Sequence, residues 1–388
     1  MPVAAPVIVS ADPESFPHSV LAERHPALIR KVRDAFPYGP EQRRALDALL
    51  ESATEGVVEP LGADAADRER WEAWGCRQHT GRSWFELPFL WAESYFYRKL
   101  LEAVGYFGPG PWRGIDPFRP FKLAELDTPE AGAELAALDG LAARPAAEQT
   151  EALLHGAVWG NRADLGFQLS AGQESGADSR LVADDGEALR ALLTGGTVCL
   201  VADNAGRELI PDLLLADHLL RHGRADRVVL HLKPYPYYVS DATTADLIDA
   251  LRRLTRDGST TGAAAEAGHR LWAAAGDGRL TVRAHPFSCA PLPYADMPDD
   301  LRRDFADATV TIMKGDLNYR RLVGDRMWSP TTPFTEPTAY FPGPVAALRT
   351  LKSDVITGLD TATEAALVSA EGQRWRTSGT HALIQVGP

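Results

Sequence analysis

This sequence has few cysteines, no long apolar runs and no excess of basic residues. Its three cysteines, Cys76, Cys199 and Cys289, have no paired spacing, which favours a reducing compartment over a disulfide framework. The longest apolar runs, such as 197–202 and 227–232, are far shorter than the roughly 20 residues that span a bilayer. The N-terminus also lacks the basic segment of a secretory signal. We therefore expect a cytoplasmic protein with no membrane partner.

The balance of charge is acidic, with a formal net charge of -13 and a pI near 5.3. A surface that binds nucleic acid needs clustered Lys and Arg to displace counterions from the phosphate backbone. We therefore expect no nucleic acid partner. A small anionic metabolite remains compatible with this charge, because a few local cations and a bound metal can reverse the field inside one pocket.

The chain of 388 residues, 45% of them hydrophobic, is long enough for a substantial core. Its first third predicts amphipathic helices, because apolar residues recur at three- and four-residue spacing in 26–33 and 41–50. A third predicted helix, 86–104, is rich in aromatics and carries Glu93 and Arg98. These two charges are either an internal ion pair or part of a pocket wall, since buried charges are paired or lie at sites.

From about residue 195, short β-branched runs alternate with helical patterns, which indicates βαβ units and a parallel sheet. The predicted fold class is α/β, with a three-layer α/β/α core, a largely parallel sheet and a helical N-terminal part. We divide the chain into a helical region, 1–150, and the α/β/α core, 151–388. The segment 127–149 is the predicted connector. Predicted strands cover 197–202, 227–232, 280–284 and 308–313, with two further candidates at 346–356 and 381–386.

Polar residues follow several of these strands. Asp203-Asn204 comes after the first, Ser240-Asp241 after the second, and Lys314-Gly-Asp316 ends a later one. Ligands of an open parallel sheet gather at the carboxyl ends of its strands. Carboxylate and amide oxygens suit hard cations such as Mg²⁺ or Mn²⁺, and open coordination positions suit phosphoryl transfer to water. Each segment alone also fits an ordinary turn or helix cap, so their convergence favours a site.

Cys76 and His79 have half of a zinc-site spacing without a second pair at a usable distance, so we do not predict a zinc site. The histidines at 231 and 285 lie in or just after strands, where a structural role is expected.

Ordered motifs give the chain a family resemblance. It resembles the damage-control phosphatase family, in particular its sugar-phosphate phosphatase subfamily with an Arg-Thr-x-Lys motif. The aromatic helix 87–98 looks like the family's N-terminal signature, and the resemblance extends from about residue 70 to the end. The other matching segments are Trp159-Gly-Asn161-Arg-Ala-Asp164-Leu, Asp203-Asn204-Ala-Gly-Arg-Glu208-Leu, Val239-Ser-Asp241, Lys314-Gly-Asp316-Leu-Asn-Tyr-Arg320 and Arg349-Thr350-Leu-Lys352.

The resemblance implies roles for individual residues. Asp203, Asn204 and Asp241 are expected to bind a divalent metal, which in this family is Mn²⁺, Ni²⁺, Co²⁺ or Mg²⁺. Asp203, Asn204 and Asp316 are expected to be catalytic. Whether Asp203 attacks phosphorus or only holds the metal is open at this point. The residues expected to contact the phosphorylated substrate are Asp203, Asn204, Asp316, Leu317, Asn318, Tyr319, Arg320 and Lys352.

The expected activity is metal-assisted hydrolysis of phosphomonoesters of small metabolites, with hexose and pentose phosphates as the favoured substrates. Related proteins have also been described as carboxyl methyltransferases that use S-adenosylmethionine, but no Gly-rich loop follows the first predicted strand. A non-catalytic phosphosugar-binding protein is the other alternative, although the expected metal ligands are all present.

Overall fold

The computed structural model describes residues 5–160, 180–256 and 262–388. The N-terminal part is helical. Its apolar faces form one core with the aromatic helix Phe89–Ala103, in which Trp91, Tyr95 and Phe96 are buried. The helices that precede it are Phe16–Ser19, the π-helical Val20–Arg24, His25–Ala35, Pro40–Thr54, Arg68–Ala73, Cys76–His79 and the 3₁₀ turn Trp84–Glu86.

In the described residues, seven strands form one sheet in the order β1-β7-β6-β5-β2-β3-β4. All neighbouring strands are parallel except β6 and β7, which are antiparallel. From β2 the chain continues to β3 and β4 on one side of the sheet, and from β5 it continues to β6 and β7 on the other side. The strand order therefore reverses between β5 and β2, and α/β sheets bind ligands at such a switch point. The strands are β1 Leu181–Asp184, β2 Thr197–Val201, β3 Arg227–His231, β4 Leu280–Arg283, β5 Val310–Lys314, β6 Val345–Thr350 and β7 Ala382–Gly387.

Helices cover both faces of the sheet, because alternate strand residues are apolar on each face. Val198 and Leu200 of β2 pack into the core on one face, and Cys199 and Val201 pack into the core on the other. The first face carries the helices Arg119–Leu126, Pro129–Ala142, Ala146–Trp159, Gly186–Leu192, Leu209–Arg221, Thr244–Leu254 and Gly262–Asp277. The second face carries the helices Asp299–Ala306, Gly315–Val323, Thr335–Thr338 and Thr361–Glu371.

The predicted fold class is confirmed: a largely parallel three-layer α/β/α core with a helical N-terminal part. The two further candidate strands exist as β6 and β7, whereas β1 and the helix Gly262–Asp277 were not predicted. The connector predicted for 127–149 is wrong. Ala- and Leu-rich helices occupy it, and Leu135, Leu138 and Leu141 bury their side chains in the core. The helix Ala146–Trp159 spans residue 150, and the division at that residue stays a prediction.

All three cysteines are free and buried. Cys76 donates a hydrogen bond to the Tyr95 hydroxyl, and the ring of His79 packs on Trp91. Among the described residues, no helix is both long and apolar enough to cross a membrane.

Candidate active site

The carboxyl ends of β2, β3 and β5 meet at one edge of the sheet, because β2 lies between the other two. Asn204 and Asp241 form an isolated antiparallel bridge there. The N–H of Ala242 donates to the carbonyl of Asp203 at 2.8 Å, and the N–H of Ala205 donates to the carbonyl of Ser240 at 2.6 Å. Backbone hydrogen bonds therefore fix the segments after β2 and β3 side by side, as the strand-end argument predicted.

These segments form the floor of an open cleft with about 760 Å³ of empty space, open solvent included. Its walls come from the N-terminal helices, the loop after β3, the start of the helix after β5, and the loop after β6. The lining residues are Phe16, Val20, Arg24, Glu93, Asp203, Asn204, Tyr238, Ser240, Asp241, Asp316, Leu317, Arg320 and Lys352.

Asp203 and Asp241 carry the dominant electrostatic feature of the floor. Burial, followed by the negative charges of Glu208 and Asp241, raises the pKa of Asp203 well above its ordinary value. Burial also raises the pKa of Asp241 to about 6, although the Lys233 ammonium, 3.3 Å from its Oδ2, opposes this shift. Ionised carboxylates in this position would be stabilised by an added cation.

Asn204 is held by hydrogen bonds on both sides of its amide. Its Nδ2 donates to Asp203 Oδ2 at 3.2 Å and to Glu208 Oε2 at 2.9 Å. The hydroxyl of Ser240 donates to its Oδ1 at 2.7 Å. The amide is therefore fixed beside the Asp203 carboxylate, and its oxygen keeps a second lone pair.

Gly315 allows the helix after β5 to approach Asp203. It has φ +84, and a Cβ at this position would lie 1.8 Å from Oδ2 of Asp203. Only glycine combines this backbone conformation with such close contact. The following residue, Asp316, thereby enters the cleft from the first turn of the helix Gly315–Val323.

Asp316 is ionised and oriented by the loop after β6. Its Oδ1 accepts from Arg349 Nε at 2.8 Å, from Ser353 Oγ at 3.1 Å and from the N–H of Lys352 at 3.2 Å. Burial opposes ionisation, yet the charges of Arg349 and Arg320 lower the pKa of Asp316 overall. Within the described part of the chain these bonds all go to Oδ1, so Oδ2 is the oxygen that is available to a ligand.

The next residues of that motif differ in where their side chains lie. Leu317 lines the cleft. The amide of Asn318 donates to the carbonyls of Ala202 and Lys314, at 3.1 and 2.8 Å, which holds the end of β2 to the helix. The hydroxyl of Tyr319 hydrogen bonds to Gln385 and Thr357 in the core. Neither Asn318 nor Tyr319 is among the cleft-lining residues, so their contacts support the floor from behind.

Arg320 lines the cleft but is committed to internal ion pairs. Its Nε and Nη2 bond the Asp325 carboxylate at 2.7 and 3.1 Å, and its Nη1 bonds Glu93 at 2.8 Å. Glu93 is thus both partner of an ion pair and part of the cleft wall. Arg98 instead pairs with Asp67 through two hydrogen bonds. Lys352 lines the cleft and is exposed.

Sequence reasoning missed the residues that close the cleft from the N-terminal side and from the loop after β3. Phe16, Val20 and Arg24 come from the helical turns 16–24, where the structure has a π-helical turn, a feature common at functional sites that the sequence alone did not indicate. Tyr238 and its neighbour Val239 have φ of 46 and 64, which is unusual for non-glycine residues. The aromatic run 235–238 after a strand could have drawn attention to that loop.

The expected metal ligands fit a divalent cation on the chemistry of their donor set. Asp203, Asn204 and Asp241 present two carboxylates and one amide at one floor, and both carboxylates have raised pKa values. Among the described residues no group of three or more His, Cys, Asp or Glu is placed to hold a metal. The set of Asp203, Asn204 and Asp241 contains only two such residues, because Asn204 is an amide. The absence of a larger group in the described part of the chain is therefore compatible with a metal site at these three residues. The Asn161 and Asp164 motif lies outside the described residues.

Comparisons with known proteins identify the family of the chain. Proteins named damage-control phosphatase ARMT1 are similar to the chain over nearly its whole length. The one from Xenopus laevis is 30% identical over 96% of both chains, and the one from Danio rerio is 29% identical over 96% of this chain and 94% of its own. The Homo sapiens protein is 28% identical over 99% of both.

A crystal structure of a DUF89 family protein from Pyrococcus horikoshii aligns with a TM-score of 0.48 and 16% identity, over 86% of this chain and 92% of its own. The family model of the damage-control phosphatase ARMT1-like domain matches residues 20–368. That match spans the N-terminal helices, every cleft-floor segment and the Arg349-to-Lys352 motif. The chain therefore belongs to the ARMT1-like damage-control phosphatases, a family of phosphatase enzymes.

Proposed function

We propose that the protein is a divalent-metal-dependent phosphatase that hydrolyses phosphomonoesters of small metabolites, and that sugar phosphates are its substrates. The observation that carries this proposal is the convergence of Asp203, Asn204, Asp241, Asp316 and Lys352 on one cleft of about 760 Å³. The family supplies the reaction class. In support of this proposal, the cleft brings together a floor of oxygen donors, the Asp316 carboxylate and the exposed Lys352 ammonium.

In this proposal Asp203, Asn204 and Asp241 hold the metal. When bound, it neutralises phosphoryl charge and makes water a better nucleophile. Lys233, which is buried beside Asp241, limits the charge repulsion between the two carboxylates. Ser240 and Glu208 hold the Asn204 amide between them, and Gly315 keeps Asp203 against the helix that carries Asp316.

The remaining cleft residues bind and orient the substrate. Lys352 is an exposed cation that can neutralise a phosphate, and the free oxygen of Asp316 can accept a sugar hydroxyl or orient water. Glu93 offers a further acceptor, which favours a hydroxyl-rich ligand over an apolar one. Arg320, Asn318 and Tyr319 act as positioning residues through the contacts described above.

The first test is phosphate release from a panel of hexose and pentose phosphates by metal-stripped protein, with Mn²⁺, Ni²⁺, Co²⁺ or Mg²⁺ added back. Turnover is expected only with metal, and the order of the metals identifies the preferred ion. Asp203→Asn should abolish turnover while leaving the metal-free protein at least as heat-stable, because burial and neighbouring charges disfavour the carboxylate.

Asp307→Asn, an exposed change away from the cleft, is the matched control and should leave both properties unchanged. Full turnover by Asp203→Asn would contradict the proposed site. Binding of metal and sugar phosphate without any turnover would favour the phosphosugar-binding alternative. Transfer of a methyl group from S-adenosylmethionine to a carboxyl group would favour the methyltransferase alternative.

A further inference from the structure

The charges that line the cleft leave few cations for a phosphate. Glu93, Asp203, Asp241 and Asp316 face three cations from the same lining: Arg24, Arg320 and Lys352. A phosphate monoester adds further negative charge to this set. Its binding therefore depends on which of the three cations are not already neutralised by the protein.

Arg320 is the cation that the protein has already neutralised. All three of its guanidinium nitrogens donate to carboxylates, two bonds going to Asp325 and one to Glu93, and the side chain is buried. Its guanidinium also lies 4.5 Å from the centroid of the Phe89 ring. Moving Arg320 onto a substrate would leave buried carboxylates unpaired, which costs several kcal/mol.

Arg24 and Lys352 differ from Arg320 in both exposure and pairing. Both side chains belong to exposed residues, and neither forms an ion pair with any residue in the described ranges. Arg24 ends the π-helical turn Val20–Arg24, and its guanidinium lies 4.9 Å from the centroid of the Phe16 ring. Phe16 and Val20 line the cleft beside it. The guanidinium is thus supported by an aromatic ring, and among the described residues its donors have no hydrogen-bond acceptor.

We infer that Arg24 is a phosphate-binding residue, which together with Lys352 holds the phosphoryl group of the substrate over the metal-binding floor. This inference rests on the proposed phosphatase function and adds a residue from the N-terminal helices to the site. A guanidinium presents a planar fork of donors that can bind two phosphate oxygens at once, whereas an ammonium acts as a point charge. Arg24 therefore fixes the orientation of the phosphate, and Lys352 adds charge.

The assignment also gives the helical N-terminal part a role in recognition. The helices of residues 16–24 carry one cation and two apolar side chains into the cleft. Because Arg24 contacts the phosphate and not the sugar, its loss should weaken every phosphorylated ligand by a similar factor. A residue that selects among sugars would instead change their relative affinities.

The test is a calorimetric titration of the metal-loaded full chain with orthophosphate, for the wild type, Arg24→Gln, Arg24→Lys and Arg30→Gln. Arg30 is an exposed arginine of the next helix that does not line the cleft, so it is the matched control. We expect the orthophosphate Kd to rise roughly tenfold or more in Arg24→Gln, from the loss of charge-assisted hydrogen bonds. Arg24→Lys should be intermediate and Arg30→Gln unchanged, with equal melting temperatures for all four proteins.

For every sugar phosphate that the wild type hydrolyses, KM should rise by a similar factor in Arg24→Gln, and kcat should change less. Equal orthophosphate affinity of Arg24→Gln and Arg30→Gln overturns the inference, as does a wild type that binds no orthophosphate. A wild type that binds orthophosphate but hydrolyses nothing in the panel overturns the proposed function alone. In that case the titration still decides the role of Arg24.

Discussion

At the scale of single residues, Gly315 sets how closely Asp316 and Asp203 approach each other. Gly315→Ala places a Cβ within 1.8 Å of Asp203 Oδ2, so the Asp203 carboxylate must move. We expect metal-dependent turnover to fall at least tenfold, a change of about 1.4 kcal/mol, since a carboxylate shifted by a bond length no longer completes its ligand set. The measurement is turnover as a function of metal concentration.

Gly278→Ala is the matched control, since Gly278 has a similar φ of +85 and no atom within 4 Å of the added Cβ. Both variants pay the cost of a left-handed alanine, about 1–2 kcal/mol. Only Gly315→Ala should lose turnover. Equal activity of the two variants would show that contact with Gly315 does not position Asp203.

At the scale of elements, the ion pairs of Arg320 connect the helix Gly315–Val323 to the aromatic helix Phe89–Ala103. Asp325 accepts two hydrogen bonds from Arg320, and its Oδ2 also accepts from the N–H of Leu90. Asp325→Ala should lower the free energy of unfolding by about 3–5 kcal/mol, because it removes two of the three carboxylate bonds of a buried guanidinium and leaves it only Glu93. Urea denaturation measures this loss.

The double variant Asp325→Ala/Arg320→Met tests whether the pair acts as a unit. Removing both charges should cost less than the sum of the single changes, by an interaction energy of about 0.5–3 kcal/mol. Strict additivity would contradict an ion pair between these residues.

A second prediction at this scale concerns the start of the helix Thr244–Leu254. A capping box formed by Thr243 and Asp246 begins this helix just after Asp241, and Lys122 donates to both Asp246 and the Asp241 carbonyl. Thr243→Ala should lower the free energy of unfolding by about 1 kcal/mol. It should also weaken metal binding, because Asp241 loses part of its backbone support.

Thr128→Ala is the control, since Thr128 caps the helix Pro129–Ala142 away from the cleft by accepting from the N–H of Ala131. It should cost a similar free energy of unfolding without changing metal affinity. Unaltered metal affinity in Thr243→Ala, measured by calorimetry, would contradict a link between this cap and the metal ligands.

At the scale of the whole molecule, buried histidines link stability to pH. His25 stacks on Phe96 with ring centroids 3.6 Å apart, and neither ring nitrogen has a hydrogen-bond partner among the described residues. Burial lowers the pKa of His25 from 6.5 to about 3. Between these values the unfolded chain binds a proton that the folded chain does not, so stability is complete above about pH 6.5 and falls as pH decreases.

His25→Phe should remove about 1.4 kcal/mol per pH unit from the slope of stability against pH between roughly 4 and 5.5, and about half as much near pH 6.5. The carboxylates with raised pKa values act in the opposite direction in metal-free protein, but they are common to both proteins and cancel in the difference. The exposed His269→Gln is the control. Denaturant titrations at several pH values measure the slopes, and equal slopes for His25→Phe and the wild type would contradict this account.

The sequence by itself determined the layered α/β class, most of the strands and the polar residues at their ends. Such features are local: alternation of apolar side chains defines a strand, and the residue that follows it is at the sheet edge wherever the strand lies. The predicted site residues Asp203, Asn204, Asp241 and Asp316 accordingly line one cleft. The strand β1 and the helix Gly262–Asp277 were missed because short or Ala-rich segments carry a weak periodic signal.

Only the tertiary structure decided which residues of the motifs face the cleft. Arg320 meets Glu93 across 227 positions of sequence, Tyr319 turns into the core towards Gln385, and Arg24 reaches the cleft from the N-terminal helices. Each outcome depends on the packing of elements that are distant in sequence and on which buried charges find partners. A motif fixes the types and spacing of its side chains, whereas their directions follow from the neighbours that folding brings against them.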